Sequence, residues 1–273
     1  MIAIEEKVAN FRALHNQATA FIIPNPYDAG TAILLEKLGY GAVATSSAGY
    51  AFTCGRPDNN ISRDEMIEHA RLIAMATNLP VSADLENGFY DSPEEVAQTI
   101  TMAGGAGVVG GSIEDSTNDG RDEPLYDIGL ARERMIAAVE AKRALPFDFI
   151  LTGRAENFLV GRDDINDVIK RLQAYQDAGA DVLFAPGLTS VADIKAVVSN
   201  VDRPVNVVMG LSGVQLGQAD LSELGVKRIS TGSSLSRAAL GAFMRASKEM
   251  LEKGTFGYAE DAIPYGEIDT LFR

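Results

Sequence analysis

The chain repeats one kind of junction, written KLGYGAV at residues 37–43, AGGAGVV at 103–109 and DAGADVL at 177–183. In each version the end of an amphipathic segment passes through glycine into a short apolar run. Because glycine is the usual residue just past a helix C-terminus, each junction predicts a helix that ends and a strand that begins. The predicted stop residues are Gly39, Gly104 and Gly179.

Short apolar runs rich in β-branched residues recur along the whole chain, and helical patterns separate them. Continuous apolar runs are typical of parallel strands that are buried on both faces. Eight β/α units in one chain predict an α/β fold, a single (β/α)8 TIM-type barrel. Ser62, Ser92 and Ser190 precede helical segments and are predicted N-caps. The predicted strands end near Ile23, Ser46, Leu85, Ile113, Gly153, Ala185, Val208 and Thr231.

A doubly wound sheet is the alternative architecture. That fold usually carries a glycine-rich dinucleotide turn after its first strand, and the segment FIIPNPYDAG (21–30) has none. The sequence therefore favours the barrel and disfavours nicotinamide binding.

Two segments lie outside the predicted barrel, which spans about residues 18–250. A leading amphipathic helix over about residues 3–17 is expected to plug the bottom of the barrel. An apolar tail over about residues 255–273 is expected to be either a subunit contact or a segment packed on its own barrel. No linker or change in composition divides the chain, so residues 1–273 are predicted to form one domain.

Composition limits the partners and the compartment. The chain has 273 residues and a net charge of −14, which argues against nucleic acid or an anionic membrane as a partner. Cys54 is the single cysteine, which excludes an internal disulfide and suits a reducing cytoplasm. No apolar run approaches the 18 or so residues of a membrane span. We expect a cytoplasmic enzyme or binding protein.

Acidic side chains follow consecutive predicted strands. Asp84 and Glu86 close VSADLE, Glu114 and Asp115 close GVVGGSIED, and Asp58 comes after GAVATSS. Residues two apart in a strand point to the same side, so Asp84 and Glu86 are expected to face one space. The C-terminal strand ends carry the active site of a barrel. Because grouped carboxylates repel one another unless a cation or substrate neutralises them, they indicate a divalent metal site, and their oxygen ligands favour Mg2+.

Cationic and hydroxyl groups lie at the same predicted end of the barrel. Arg154, after the fifth strand, can bind a carboxylate or phosphonate with two parallel hydrogen bonds, or it can form an internal salt bridge to Glu114 or Glu156. The turn Ser46–Ser47–Ala48 can offer backbone N–H groups and hydroxyls to an anion. Gly232–Ser233–Ser234 opens the helix after the last strand, where many barrels bind phosphate.

Two other chemistries are disfavoured. The chain contains only His15 and His69, both within helical patterns, so a zinc site and a Ser–His–Asp triad lack their ligands and base. The lysines lie on helices or just before a strand, whereas a Schiff-base lysine has to point into the barrel.

The ordered motifs TSSAGYAFTCGRPD (45–58), VSADLENGF (81–89), SIED (112–115) and TGRAEN (152–157) resemble those of the isocitrate lyase/phosphoenolpyruvate mutase superfamily. The resemblance covers about residues 18–250. It implies an enzyme that binds Mg2+, with Mn2+ as the alternative ion, and an α-oxocarboxylate or its enolate. It also implies homodimers or homotetramers in which a terminal helix is exchanged between subunits, which would give the apolar tail a role.

The resemblance assigns a role to each candidate. Asp84 is expected to be the ligand nearest the ion, with Asp58, Glu86 and Glu114 holding it directly or through water. Substrate binding falls to Asp84, Arg154 and the turn Ser46, Ser47 and Ala48, and the catalytic candidates are Arg154, Asp58 and Glu114. Two motifs depart from the family: the arginine stretch reads GRAEN, and Glu86 replaces a common aspartate.

The segment STNDGRDEPLYD (116–127) narrows the reaction. The isocitrate and methylisocitrate lyases carry a K-K-C-G-H stretch at this place, and its cysteine and histidine are missing here. We expect a Mg2+-dependent lyase, or decarboxylase, for a small α-oxo or α-hydroxy carboxylate such as oxaloacetate. The alternatives are a mutase or hydrolase of the P–C bond in phosphonopyruvate and a non-catalytic barrel that binds an oxo acid. Residues 116–126 are expected to form a lid.

Overall fold

The computed structural model describes residues 2–118, 120, 122–211 and 216–273. Within these ranges eight parallel strands form one sheet, and the helices surround it, which confirms the predicted barrel. The predicted strand ends are met to within two residues. The strands are β1 (Phe21–Ile23), β2 (Val43–Ala44), β3 (Val81–Asp84), β4 (Gly110–Glu114), β5 (Ile150–Arg154), β6 (Val182–Phe184), β7 (Val205–Val208) and β8 (Arg228–Ser230).

The described helices follow the strands in the expected alternation. None of them combines the length and apolar content that a bilayer crossing requires. Short 3-10 helices lie at Asn157–Val160 and Gly257–Asp261. The α-helices are α1 (Ile4–His15), α2 (Ala29–Lys37), α3 (Ser47–Thr53), α4 (Arg63–Ala76), α5 (Pro93–Gly105), α6 (Ile128–Arg143), α7 (Ile165–Ala178), α8 (Val191–Ser199), α9 (Gln218–Glu223), α10 (Ser234–Lys253) and α11 (Tyr265–Leu271).

The barrel has a seam between its first two strands. The ladder runs from β1 through β8 and back in order to β2, so β1 and β2 are its two edges. At the seam the Ala44 backbone N–H donates to the Pro24 carbonyl (3.0 Å), and Asn25 Nδ2 donates to the Thr45 carbonyl (2.8 Å). These two bonds bring the edges together and leave the barrel nearly closed.

Helix α1 covers the N-terminal end of the barrel, as predicted for a plug. Phe11 is fully buried and packs with Phe21, Val109 and Ile150 in a small core at this end. His15, at the end of α1, is 5% exposed. The main hydrophobic core lies between the strands and the ring of helices.

The predicted helix signals are mostly confirmed. The hydroxyls of Ser62, Ser92 and Ser190 accept hydrogen bonds from the third residue of the helix that follows. Gly39 and Gly179 follow α2 and α7 with φ of 91° and 110°, a conformation that favours glycine.

The third predicted stop, Gly104, is wrong. It lies inside α5, and the positive φ of 85° belongs to Gly107. The reason for a glycine at 104 is packing: a Cβ there would lie 2.7 Å from Leu145, just beyond α6. The glycines of this junction therefore allow close contact between helices as well as the end of the helix.

The C-terminal segment forms helices beyond the barrel, as predicted. Helix α11 lies near α2, where a Cβ on Gly30 would be 3.7 Å from the Phe272 ring. Large apolar side chains remain exposed on α10 and α11, including Phe243 (70%), Leu251 (87%) and Tyr265 (85%).

Candidate active site

A cavity of about 450 Å³ opens at the C-terminal ends of the strands. Its walls come from β1 through β8 and from the loops that follow them. Among the predicted site residues, the cavity is lined by Ser46, Ser47, Ala48, Asp58, Asp84, Glu114 and Arg154.

The serine turn is hydrogen-bonded directly to Asp84, which forms an acidic cluster with Glu86 and Glu114. Asp84 Oδ2 accepts hydrogen bonds from the Ser47 backbone N–H (3.0 Å) and from its hydroxyl (2.8 Å). Ser46 caps α3, and its hydroxyl accepts from the Gly49 N–H (3.1 Å). The backbone N–H groups of Ser47 and Gly49 are therefore bound within the protein. Ala48 also lines the cavity and makes no such bond to Asp84 or Ser46.

Arg154 joins three carboxylates. Its Nη1 lies 3.1 Å from Glu114 Oε2 and 3.5 Å from Asp84 Oδ1, and its Nε donates to Glu156. The guanidinium lies over the Phe184 ring, 5.2 Å from the centroid. The internal salt bridge considered as an alternative is present, yet 17% of the Arg154 side chain stays exposed in the cavity. An internal salt bridge and the binding of a substrate anion are therefore both compatible with the geometry of Arg154.

The cluster contains more carboxyl groups than cationic groups. Burial, followed by the charges of Asp84 and Glu114, raises the pKa of Glu86 to about 8. Burial also raises the pKa of Glu114, against the opposing effect of Arg154. A cation bound here would favour the ionised form of these carboxyl groups and would be stabilised by them in turn.

Two oxygens of the cluster are buried without a hydrogen bond to any described residue: Asp84 Oδ1 and Glu86 Oε1. Buried carboxylate oxygens of this kind are costly unless a cation or a donor reaches them. Among the described residues no three His, Cys, Asp or Glu side chains are arranged to bind a metal ion by themselves. Mg2+ keeps several waters and often binds only one or two carboxylates, so this donor set fits Mg2+ better than a fully protein-ligated metal.

The position of Glu86 corrects the argument from strand alternation. Strand β3 ends at Asp84, Leu85 is fully buried, and Glu86 adopts a left-handed conformation with φ of 48°. The Glu86 side chain is 5% exposed and does not line the cavity, although its charge interacts with Asp84. The turn after β3, and not the alternation of the strand, therefore determines where Glu86 lies relative to Asp84.

Asp58 reaches the site by a different route from the one predicted. It does not end a strand, because α3 lies between β2 and Asp58. It is exposed on the loop after α3, where Asp58 Oδ1 accepts from the Asn59 N–H (3.0 Å), and it borders the cavity.

The other acidic residue at the end of β4 faces away from the cavity. Asp115 Oδ1 accepts from the Glu156 N–H (2.8 Å), and Asp115 Oδ2 accepts from Arg171 Nη1 (3.1 Å) and from the Tyr175 hydroxyl. Asp115 therefore fixes the backbone of Glu156, which in turn holds Arg154.

The predicted lid is described in part, since Asp119 and Arg121 lie outside the described residues. Ser116 and Leu125 form an antiparallel bridge, and the Thr117 N–H donates to the Pro124 carbonyl (2.9 Å). Asn118 Nδ2 donates to Glu114 Oε1 (2.8 Å) and lines the cavity. The base of the segment is thus anchored, and its closure over a ligand stays a prediction.

Gly232 and Ser233 of the predicted phosphate position line the cavity, and the Gly232 N–H is bound within the protein. Asn25 Oδ1 accepts from the backbone N–H groups of Thr231 (2.9 Å) and Gly232 (3.0 Å). Sequence reasoning missed Asn25, and it also missed Asn206 and Arg228 on the cavity wall. The only signal for them in the sequence is a polar residue within or beside an otherwise apolar strand.

The chain resembles known proteins along most of its length. Residues 11–251 match the phosphoenolpyruvate phosphomutase family. A Burkholderia cenocepacia J2315 crystal structure, provisionally described as a lyase/mutase, is 56% identical with a TM-score of 0.96, covering 98% of this chain and 97% of that one. The 2-methylisocitrate lyase of Escherichia coli K12 is 32% identical over 71% of this chain and 67% of its own length. A phosphonopyruvate hydrolase complexed with oxalate and Mg2+ is 26% identical, with a TM-score of 0.86 over 97% of this chain and 94% of that one.

Proposed function

This chain belongs to the phosphoenolpyruvate mutase/isocitrate lyase superfamily, which includes lyases and mutases, and we propose that it is a Mg2+-dependent carbon–carbon lyase. Its substrate would be a small α-oxo or α-hydroxy carboxylate such as oxaloacetate, cleaved or decarboxylated next to the oxo or hydroxy group. The observation that carries the proposal is the joining of Ser47, Asp84 and Arg154 around one cavity, with a buried Asp84 oxygen that has no hydrogen-bond donor among the described residues.

Asp84 would be the direct ligand of the ion, and Asp58, Glu86 and Glu114 would hold its waters. This assignment is supported by the two carboxylate oxygens that are buried without a described donor and by the number of carboxyl groups that surround one arginine. When bound, Mg2+ would stabilise the negative charge that develops on the substrate oxygen next to the broken bond.

Arg154 and the serine turn would orient the substrate. A guanidinium that is already held by Glu156 and Glu114 loses little freedom when it binds a planar carboxylate, and Phe184 supports it from one side. The Ala48 backbone at the start of α3 lies on the same wall of the cavity and would receive the second oxygen.

The loop after β4 separates this chain from the isocitrate and methylisocitrate lyases. It brings Ser116 and Asn118 to the cavity and contains neither cysteine nor histidine. Asn118 holds Glu114 in place, so the loop would shape the site and exclude water without supplying the acid of those two enzymes.

The test is a product assay with a panel of oxo and hydroxy acids, including oxaloacetate, methyl-substituted malates and phosphonopyruvate. Each acid is incubated with Mg2+ or with a chelator, and carbon products are followed by 13C NMR. The proposal requires turnover of at least one carbon acid only when Mg2+ is present. Mg2+-independent turnover, or none across the panel, would remove it.

A P–C bond activity on phosphonopyruvate is the second candidate. It is supported by the phosphonopyruvate hydrolase similarity and by the position of Asn118 at the cavity. Release of inorganic phosphate, or conversion to phosphoenolpyruvate, in the same panel would select this candidate over the carbon–carbon lyase.

We also propose that the chain forms homodimers or homotetramers through α10 and the tail at 255–273. The support is the set of apolar side chains exposed on these elements, which a second subunit would cover. Light scattering of the full chain and of a chain ending at residue 254 tests this, because the shorter chain should lose its assembly.

A further inference from the structure

Arg228 occupies an unusual position for an arginine. It begins β8 and points into the barrel interior, where 5% of the residue is exposed. Its Nε donates to Asn206 Oδ1 (2.9 Å), and Nη2 donates to Thr152 Oγ1 (3.0 Å). Its Nη1 is buried and makes no hydrogen bond to any described residue, although Arg228 lines the cavity.

The charge of Arg228 is not balanced by an acidic partner. Both of its hydrogen-bond acceptors are neutral, and no carboxylate of the described residues forms an ion pair with it. Burial alone lowers the pKa of Arg228 to about 9, so the side chain stays cationic at neutral pH. The Arg228 charge also acts on His15 in helix α1: burial, followed by the Arg228 charge, lowers the pKa of His15 to about 3. A buried cation without a counter-ion is unfavourable, so this arrangement requires a compensating function.

The barrel interior around Arg228 has room for a ligand. Large branched side chains usually fill the inside of such barrels. Here the strand residues that line the cavity include Ser82, Ser112, Asn206 and Ser230, which are small or polar. The cavity therefore extends below the acidic cluster as a polar well, and Arg228 supplies the positive charge in it.

The depth of the well can be read from the strand register. Thr152, the partner of Arg228, precedes Arg154 by two residues on β5, which corresponds to about 6.6 Å along a strand. Three or four carbon–carbon bonds of about 1.5 Å, together with the carboxylate oxygens and their hydrogen bonds at the two ends, are enough for a ligand to reach from Arg154 to Arg228. A four- or five-carbon dicarboxylate has that span.

We propose that Arg228 is a specificity-determining residue, which binds the distal carboxylate of a dicarboxylic α-oxo or α-hydroxy acid at the bottom of the cavity. The inference rests on the proposed function, since it assumes that the proximal end of the same acid binds at Asp84 and Arg154. Arg228 would reject acids whose far end is a methyl group, because these would leave a buried cation unpaired.

The test uses two ligands that differ only at the far end, malate and 2-hydroxybutyrate, together with oxalate, which is too short to reach the well. Their affinities for the full chain are measured in Mg2+ by calorimetric competition. The wild type should prefer malate over 2-hydroxybutyrate by at least about 30-fold. Arg228→Met should remove most of that preference and change the oxalate affinity less than about threefold. Arg132→Met, at an exposed arginine on α6, is the matched control and should keep the wild-type preference.

A second variant keeps the test informative if Arg228→Met does not fold. Asn206→Asp is isosteric and places a carboxylate beside Arg228 Nε, so Arg228 gains an internal counter-ion. It should lose the malate preference and keep or raise the melting temperature.

The outcomes separate this inference from the proposed function. Oxalate binding with Mg2+ in the wild type, combined with a malate preference that survives both variants, would overturn the role of Arg228 alone. Chloride and phosphate, tested without Mg2+, give a second check. If either ion stabilises the wild type, Arg228→Met abolishes that stabilisation and the malate preference is unchanged, then the well holds a free inorganic ion. That result would also overturn the role of Arg228. No oxalate binding by the wild type would overturn both proposals.

Discussion

Ser47 and Asp84, which are 37 residues apart in the sequence, are joined by two hydrogen bonds to a single oxygen: Asp84 Oδ2 accepts from the Ser47 N–H at 3.0 Å and from its hydroxyl at 2.8 Å. The other oxygen, Oδ1, is buried with no hydrogen bond to a described residue and lies 3.5 Å from Arg154 Nη1. One oxygen of Asp84 is thus fixed by the protein, and the other is directed toward the cluster where a cation would bind.

Asp84→Ala should abolish tight Mg2+ binding and leave the barrel folded. Removing one carboxylate from a crowded acidic cluster relieves repulsion, so the melting temperature without metal should hold or rise. Mg2+ at 100 times its Kd should stabilise the wild type by about 2.7 kcal/mol and the variant hardly at all. Calorimetry and thermal unfolding measure both effects. Asp177→Ala, at an exposed aspartate on α7, is the control. Equal Mg2+ affinity in wild type and Asp84→Ala would refute the assignment.

Arg154→Lys should fold, bind Mg2+ nearly as the wild type does, and lose kcat/KM by at least about 30-fold. Lysine keeps the charge but cannot hold Glu156, Glu114 and a substrate carboxylate with one planar group. Losing such a charge-assisted pair in a buried site costs about 2–4 kcal/mol. Steady-state kinetics on the acid identified in the panel provide the measurement. Near-native turnover in this variant would show that Arg154 has only a structural role.

Glu86 should contribute a fall in the unfolding free energy of the metal-free protein as pH rises from about 5 to 8. In this range folded Glu86 keeps its proton, because its pKa is raised to about 8, whereas in the unfolded chain it ionises near its ordinary value of 4.5. The unfolded state therefore binds fewer protons at this residue, and the Glu86 contribution to stability decreases by up to about 1.4 kcal/mol per pH unit. Urea unfolding in a chelator at several pH values measures the slope.

Glu86→Gln should remove this contribution, so that its stability falls less, or rises more, with pH than that of the wild type, because glutamine does not ionise in either state. Glu133→Gln, at an exposed glutamate on α6, should leave the slope as it is in the wild type. Parallel curves for wild type and Glu86→Gln would mean that Glu86 is not the group responsible.

Gly104→Ala and Gly105→Ala should have opposite effects on stability. A Cβ at Gly104 would lie 2.7 Å from Leu145, and overpacking of this kind costs about 1–3 kcal/mol. A Cβ at Gly105, the next residue of the same helix, meets nothing within 4 Å, so alanine should add up to about 1 kcal/mol of helix stability. Chemical denaturation of both variants tests the pair. A loss of stability in Gly105→Ala equal to that in Gly104→Ala would contradict the packing argument.

Much of the fold follows from local patterns. The eight strands, the serine N-caps and the plug formed by α1 are encoded by runs of neighbouring residues, and all are found in the structure. Gly104 was misassigned because its neighbour Leu145 is 41 residues away, and a junction of seven residues contains no information about that contact.

The site was predictable where family motifs mark it and not elsewhere. The motifs located Asp84, Glu114 and Arg154, which do line one cavity. The alternation rule failed for Glu86, because the strand ends two residues earlier and a left-handed turn follows. Arg228 lies in no family motif. It stands out because its two hydrogen-bond acceptors, Asn206 and Thr152, are uncharged, and the sequence does not show that these residues are its partners.

The central claim is that one site binds Mg2+ and an oxo acid together at Asp84 and Arg154. Oxalate affinity measured by calorimetry, with Mg2+ and then with a chelator, tests it most directly in the wild type and in Asp84→Ala. We predict that Mg2+ tightens oxalate binding at least about 100-fold in the wild type, a coupling of about 2.7 kcal/mol, and that Asp84→Ala abolishes the coupling. Oxalate affinity that is the same with and without Mg2+, or coupling that persists in Asp84→Ala, would contradict the account.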